Sequence, residues 1–227
     1  VSFVLTVADI QDDEECANAF ALCYRRWSSF FEKTTDDHLS FQELIGLIGE
    51  LKILDSLLKK ADDQSKQQMV LAWRGPYGAT HDFEFENLDV EVKTRMESAS
   101  NIKVSSEFQL EVNEGKPLYL SVVTLREDYE TGFCLGELVD DIKTALIESG
   151  VSVEPLWAAL QRYKLDYQSI RSYDNNLFSL VNVRIFDVCK DGFPRLVPAE
   201  LDEGVHRVRY SIAVASLTPY EVEDIPQ

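Results

Sequence analysis

The sequence lacks the features of several large protein classes. It has no run of about 18 apolar residues, so no helix is expected to cross a bilayer. Its longest apolar stretch, Leu118-Tyr119-Leu120-Ser121-Val122-Val123, has the length of a buried strand. No signal peptide is visible. The chain opens at Val1 on Ser-Phe-Val-Leu-Thr-Val, itself strand-like, and the expectation is a fragment with more natural sequence before it. The four cysteines, Cys16, Cys23, Cys134 and Cys189, form no Cys-x-x-Cys, and His38, His81 and His206 stand far apart. This argues against zinc and for reduced thiols in a cytoplasmic protein. Cys16 and Cys23 lie a heptad apart around Phe20, a core-packing spacing. Gly-x-Gly-x-x-Gly, a phosphate-loop lysine and Gly-x-Ser-x-Gly are all missing, which removes nucleotide hydrolysis and the serine-hydrolase elbow from consideration.

Positive charge is also scarce. Twenty-two Lys+Arg face 40 Asp+Glu, a formal charge of −18. Duplex DNA is a polyanion, and affinity for it comes largely from phosphate neutralisation. The balance counts against a free-standing DNA binder unless basic groups are concentrated, a metal neutralises the site, or a partner delivers the DNA. Simple solubility accounts equally well for an acidic surface. The basic groups that could face DNA are Lys93, Arg95 and Lys103, and Arg195, His206, Arg207 and Arg209.

What is present suffices for a substantial core, in one large domain or one domain with an appendage: 227 residues, 45% of them hydrophobic. Residues 9–32 read as a helix with Cys16, Phe20, Leu22, Cys23 and Trp27 on one stripe, followed by a polar loop at 34–37. Ser40 with Glu43 three residues on is a capping box, opening a helix over 41–60 in which Gly46 and Gly49 permit close backbone approach. The apolar run at 68–73 reads as a short strand. Gly75-Pro76-Tyr77-Gly78 is a turn into a hairpin over 80–95, where Phe83, Phe85, Val90 and Val92 alternate with polar residues around Glu86-Asn87-Leu88-Asp89. A short helix is expected at 106–110 and a strand at 118–125. Helices follow at 136–149 and 154–163, the latter with Pro155 in its first turn, then strands at 177–189 and 205–217, and an acidic tail from 219 that frays.

From residue 41 onward the order is helix, strand, strand, strand, helix, strand. This is an α/β fold with a mixed α+β sheet, an αβββαβ core with extra helices and strands at both ends. The hairpin carries the chemistry. Asp82 opens its first strand, and Glu91 and Lys93, two apart, share one face of its second. Two carboxylates can hold Mg²⁺ while leaving positions for water and phosphate, and a lysine nearby can position that water or stabilise the transition state. Glu-x-Lys by itself is weak, since Glu50-Leu51-Lys52 and Glu114-Gly115-Lys116 also match it. A solvated hairpin face with a cross-strand ion pair is the plain alternative. Glu84, Glu86 and Asp89 add more acid than a metal requires.

Gly46-Leu47-Ile48-Gly49-Glu50-Leu51, Trp73-Arg74-Gly75-Pro76, His81-Asp82-Phe83, Glu91-Val92-Lys93-Thr94, Gln109-Leu110 and Pro117-Leu118-Tyr119-Leu120, taken in order, resemble a bacterial family defined only by its PD-(D/E)XK motif (domain of unknown function 4420), of the restriction-endonuclease-like superfamily. The resemblance runs from Ser40 to Leu217 and includes Gly192-Phe193-Pro194-Arg195. It implies a restriction-endonuclease-like core at 40–126, an N-terminal strand/helix extension at 1–39, and C-terminal helices and strands at 127–227 packed on that core. It implies a Mg²⁺- or Mn²⁺-dependent DNA endonuclease of a bacterial restriction or phage-defence system. The alternative is a catalytically inactive nuclease-fold subunit serving as a protein-interaction scaffold. Carried over by position, Asp82 and Glu91 are metal carboxylates, with the Val92 carbonyl as a further metal ligand, Lys93 is the catalytic lysine, and Glu50 is the acid from the first core helix. Gln109, His81 and Arg95 are accessory candidates: Gln109 toward the site, His81 and Arg95 toward phosphate. The implied partners are DNA and other subunits of a defence system. The superfamily's frequent use of two active sites for a double-strand cut makes a homodimer an expectation.

Overall fold

The computed structural model describes residues 38–226. The expected strand at the start of the chain, the helix at 9–32 with Cys16 and Cys23, and the loop at 34–37 lie outside the described residues. Leu39–Gln227 is one compact unit.

Helix α1, Phe41–Lys60, begins and ends where its sequence signals put it. The Ser40 hydroxyl accepts from the Glu43 amide and the Glu43 carboxylate accepts from the Ser40 amide, so two orphan donors of the first turn are satisfied reciprocally. Lys59 and Lys60 close its last turn, where positive charge favours the helix dipole. Its apolar positions, among them Leu44, Leu47, Ile48, Leu51 and Leu54, are buried.

The apolar run that reads as a strand is instead helix α2, Lys66–Ala72. Lys-Gln-Gln-Met-Val-Leu-Ala consists mostly of strong helix formers, and a short apolar run carries no period that separates helix from strand. Only Trp73, just past its end, makes a strand-like contact, an isolated antiparallel bridge to Phe83. The hairpin is present: β1, Phe83–Glu84, pairs antiparallel with β2, Asp89–Met96, with Phe83 opposite Val90. β1 has only two residues, and Asp82 sits just before it. Strand β3, Asn101–Val104, leaves this sheet altogether. The helix expected at 106–110 is a run of turns. There the side chains capture backbone donors a helix would need: Ser106 Oγ accepts from the Phe108 amide, and Gln109 Oε1 from the Ser105 amide.

β4, Leu118–Glu127, runs parallel to β2, with Glu91 opposite Leu120 and Lys93 opposite Val122. Helices α3, Leu135–Glu148, and α4, Glu154–Arg162, follow, then β5, Phe178–Asp187, antiparallel to β4. The expected final strand is shorter than its sequence suggests. β6, Tyr210–Ala213, pairs antiparallel with β3 and gives way to a 3-10 stretch. The tail does not fray: β7, Glu221–Val222, joins the edge of β5. Ion pairs from Arg184 to Glu221 at 2.6 Å and from Lys60 to Asp224 at 2.5 Å fasten it.

The result is a mixed α/β fold built on a five-stranded sheet ordered β1-β2-β4-β5-β7 and a two-stranded sheet β3-β6. The order αβββαβ is recovered with different members than expected: α1, β1, β2, β4, α3, β5. Both faces of β2 and β4, at the centre of the large sheet, are covered. Val90, Val92, Val123 and Leu125 share a core with α1, α3 and α4. Leu118, Leu120 and Val122 belong to a second core with Ile102, Val104 and Ile212 of the small sheet. Glu91 and Lys93 lie on this second face by strand parity. No described helix is long and apolar enough to cross a membrane.

Helix and sheet approach closely at Gly49, where a Cβ would stand 1.8 Å from Thr94 Oγ1 of β2. At Gly46 a Cβ would meet nothing within 4 Å. Gly49→Ala is therefore expected to destabilise the protein by about 2 kcal/mol, as overpacking does. Gly46→Ala is expected to be neutral or to stabilise by up to about 1 kcal/mol. Urea unfolding of the two variants measures the contrast, and equal midpoints would contradict this account of how α1 seats on β2.

Candidate active site

Three backbone elements meet where α1 crosses β2. Gly49 lets α1 descend onto Thr94, and the next residue, Glu50, is thereby delivered to the mouth of the hairpin. Trp73 Nε1 donates to Glu50 Oε2 at 2.7 Å. The Tyr163 hydroxyl, just past α4, lies 3.4 Å from both Glu50 oxygens. The amides of Arg74 and Gly75 both donate to the Asp82 carbonyl, at 2.7 and 3.0 Å. A Cβ on Gly75 would stand 2.8 Å from Glu50 Oε2 and 2.9 Å from Asp82 Oδ1, so the two carboxylates lie side by side around one glycine that has no room for a side chain.

On the strand side, Asp82 Oδ2 accepts from the Val92 amide at 2.7 Å, which fixes the acid against β2. Lys93 Nζ donates to Glu91 Oε1 at 2.5 Å and to Gln109 Oε1 at 3.0 Å. Glu91 is 1% exposed, while Glu50 and Asp82 lie at intermediate depth and keep the cluster open to solvent. Glu50, Asp82, Glu91, Lys93 and Gln109 thus form one connected group.

The electrostatics follow from packing three acids around one ammonium. Burial pushes the Glu91 carboxyl up to about 8, helped by repulsion from Asp82 and opposed by Lys93. Burial also raises Glu50 well above the ordinary glutamate range, with Asp82 adding to the effect and the Trp73 hydrogen bond opposing it. Asp82 is raised by burial and partly relieved by Lys93 and by the Val92 amide. Burial alone would lower Lys93, but Glu91 and Asp82 outweigh it and hold the ammonium above its usual range. Tyr163 is raised by its own burial and by the Glu50 charge, so it remains a neutral donor. Among the described residues no three His, Cys, Asp or Glu side chains already stand as a metal cluster.

The other sequence candidates face elsewhere. His81 is buried with Nδ1 3.4 Å from Asp89 Oδ2. Asp89 is in turn held by Lys116 at 2.7 Å and by the Asn113 side-chain amide at 2.9 Å. Asp89 is therefore compensated by its own partners. Arg95 Nη1 donates to the Ala99 carbonyl. Of the other two Glu-x-Lys matches, Lys52 rests 3.6 Å over the Phe133 ring and Lys116 serves Asp89. Local sequence pattern carries no sign of the groups that hold Glu50. Trp73 reads as core, and Tyr163 stands 113 residues from the acid it touches. An indole or phenol at a helix end is the only local trace, since each carries a polar handle on an apolar body.

A carboxyl whose folded pKa lies above its unfolded value contributes stability at low pH and loses it as pH rises through the folded value. With Glu91 raised from 4.5 to about 8, and Glu50 and Asp82 raised in the same sense, the metal-free protein is expected to lose stability between those values. Scanning calorimetry in chelator across that range should record a falling Tm, with a shallower fall for Glu91→Gln. A wild-type profile as flat as the variant's would contradict this electrostatic picture.

No curated protein and no solved structure matches the sequence. One family pattern does, described as "Putative PD-(D/E)XK family member, (DUF4420)", over residues 2–215. With that coverage, and with a mixed α/β fold consistent with a PD-(D/E)XK nuclease-like architecture, the chain belongs to this PD-(D/E)XK family.

Proposed function

We propose that this chain is a divalent-metal-dependent DNA endonuclease, using Mg²⁺ or Mn²⁺, and that it serves a bacterial restriction or phage-defence system from the cytoplasm. The observation that carries the reading is the convergence of Glu50, Asp82 and Glu91 on Lys93 at the crossing of α1 and β2. The donor set fits a hard cation: carboxylate oxygens predominate, and three acids against one ammonium leave an excess of negative charge. Asp82 and Glu91 would hold the ion with the Val92 carbonyl, and Glu50 would hold it from the helix side. When bound, such a metal lowers the pKa of its water and offsets charge on the phosphate.

The chain's own residues have separable roles. Lys93 remains an ammonium, so its part is to donate to a water or to a charged phosphoryl oxygen rather than to act as a base. Glu91 and Gln109 aim that ammonium from two sides. Trp73 and Tyr163 hold Glu50 in place. The family's nuclease-like character supports DNA as the substrate. Lys103 within β3, and Arg207 and Arg209 just before β6, are all exposed and offer phosphate contacts there.

A second reading has its own support. The whole chain carries −18, as suits an inactive nuclease-fold subunit that scaffolds other proteins. Calorimetric titration with Mg²⁺ and Mn²⁺ separates the two, because a scaffold takes up no ion. The purified chain is expected to nick or cut plasmid DNA with either metal and to leave RNA intact. Lys93→Ala and Asp82→Ala should each lower cleavage by at least about 100-fold with their circular dichroism unchanged. Cleavage that survives both substitutions would sink the nuclease reading.

A further inference from the structure

The turn that ties down Asp82 also carries an exposed cationic feature. Tyr77, 42% exposed, has two guanidinium carbons near its ring centroid: Arg74 at 5.2 Å and Arg162 at 5.8 Å. Both arginines are exposed. Among the described residues neither has a carboxylate partner, although acids outnumber bases nearly two to one in the chain. Arg126, Arg171 and Arg184, by contrast, all pair with acids. An exposed guanidinium left without an acid in so acidic a protein, yet held against an aromatic ring, retains five donors for an outside anion.

Placement is the second argument. Arg74 lies between Trp73, which binds Glu50, and Gly75, which sits between Glu50 and Asp82. Arg162 directly precedes Tyr163, which reaches the same Glu50. Two segments remote in sequence thus contribute one residue to the acid cluster and its neighbour to the ring. Consecutive Cα atoms are only about 3.8 Å apart, so the arginine pair borders the cluster. In a chain of this charge, a local cationic site beside the acids answers the question of how a polyanion is held there.

We propose that Arg74 and Arg162, both seated near the Tyr77 ring, are a clamp for backbone phosphates of duplex DNA flanking the phosphate that reaches Lys93. The clamp rests on the nuclease reading for its substrate, but its binding role is measurable without cleavage. A guanidinium grips phosphate with two parallel hydrogen bonds, which orients the strand as well as attracting it. Tyr77 does not contact the phosphate; it is a positioning residue that fixes the spacing of the two cations.

The test uses a fluorescein-labelled duplex and the full chain with Ca²⁺ in place of Mg²⁺, with affinity read by anisotropy over a range of salt. Each phosphate contact contributes about 0.9 to the slope of log K against log salt, so Arg74→Ala/Arg162→Ala is expected to lower that slope by about two. Arg→Lys at both positions should restore the slope with weaker affinity. Tyr77→Ala, which changes no charge, should weaken binding, and Tyr77→Phe should not. Wild-type slope and affinity in the double alanine variant would overturn the clamp while leaving the nuclease reading intact. A reduced slope in that variant, from a wild-type protein that binds but never cleaves with Mg²⁺, would uphold the clamp and sink only the nuclease reading. A wild-type chain that binds no duplex overturns the clamp.

Discussion

Like charges at close quarters repel, and a fold that gathers Glu50, Asp82 and Glu91 must restrain each of them. The restraints come from different places. Glu50 is held by an indole and a phenol, Asp82 by one strand amide at its carboxylate and two turn amides at its carbonyl, and Glu91 by an ammonium. The hold on Glu50 depends on α1 lying close to β2, which a single hydrogen in place of a side chain at Gly49 permits. Were the helix to stand off by the width of a methyl group, Glu50 would lose Trp73 and the acids would no longer surround Gly75. The repulsion that burial amplifies is also what makes the cluster receptive to positive charge, whether an ion or the lysine already present.

Much of this was legible in the chain because short-range rules govern it. The capping box fixed the start of α1, and the strands at 118–127 and 178–187 and the helices at 135–148 and 154–162 fell within a few residues of their periodic signals. The grouping of Asp82, Glu91 and Lys93 follows from two-residue alternation across a hairpin, which needs no knowledge of the remaining fold. The run at 68–73 failed because its five apolar residues, 69–73, fit either period, and the Gln and Lys before them tip the balance to helix. The turns at 106–110 failed because Ser106 and Gln109 hydrogen-bond locally in a way no periodicity records.

What could not be read is what long-range contact decides. Only the family resemblance pointed to Glu50 and to the stretch holding Trp73 and Arg74, and nothing pointed to Tyr163 or Arg162. Tyr163 stands 113 positions from Glu50, and Arg162 stands 85 from Tyr77. Parity showed that Glu91 and Lys93 share a face but not that a second sheet would cover it, so a solvated surface was the plain expectation where the structure has a buried one.

That covering has a consequence in time. β3 has no strand to pair with until residues 210–213 exist, and the buried Glu107 carboxylate, which accepts from the Arg207 and Val208 amides at 3.0 and 2.9 Å, fastens the turn bearing Gln109 to the same late segment. Pairing over such a separation is slow, because the intervening loop must close first. On the ribosome the turn bearing Gln109 can be fastened only when residues 207–213 have emerged. The Gln109 contact to Lys93 is therefore among the later ones to form, after the segments bearing the acids have been made.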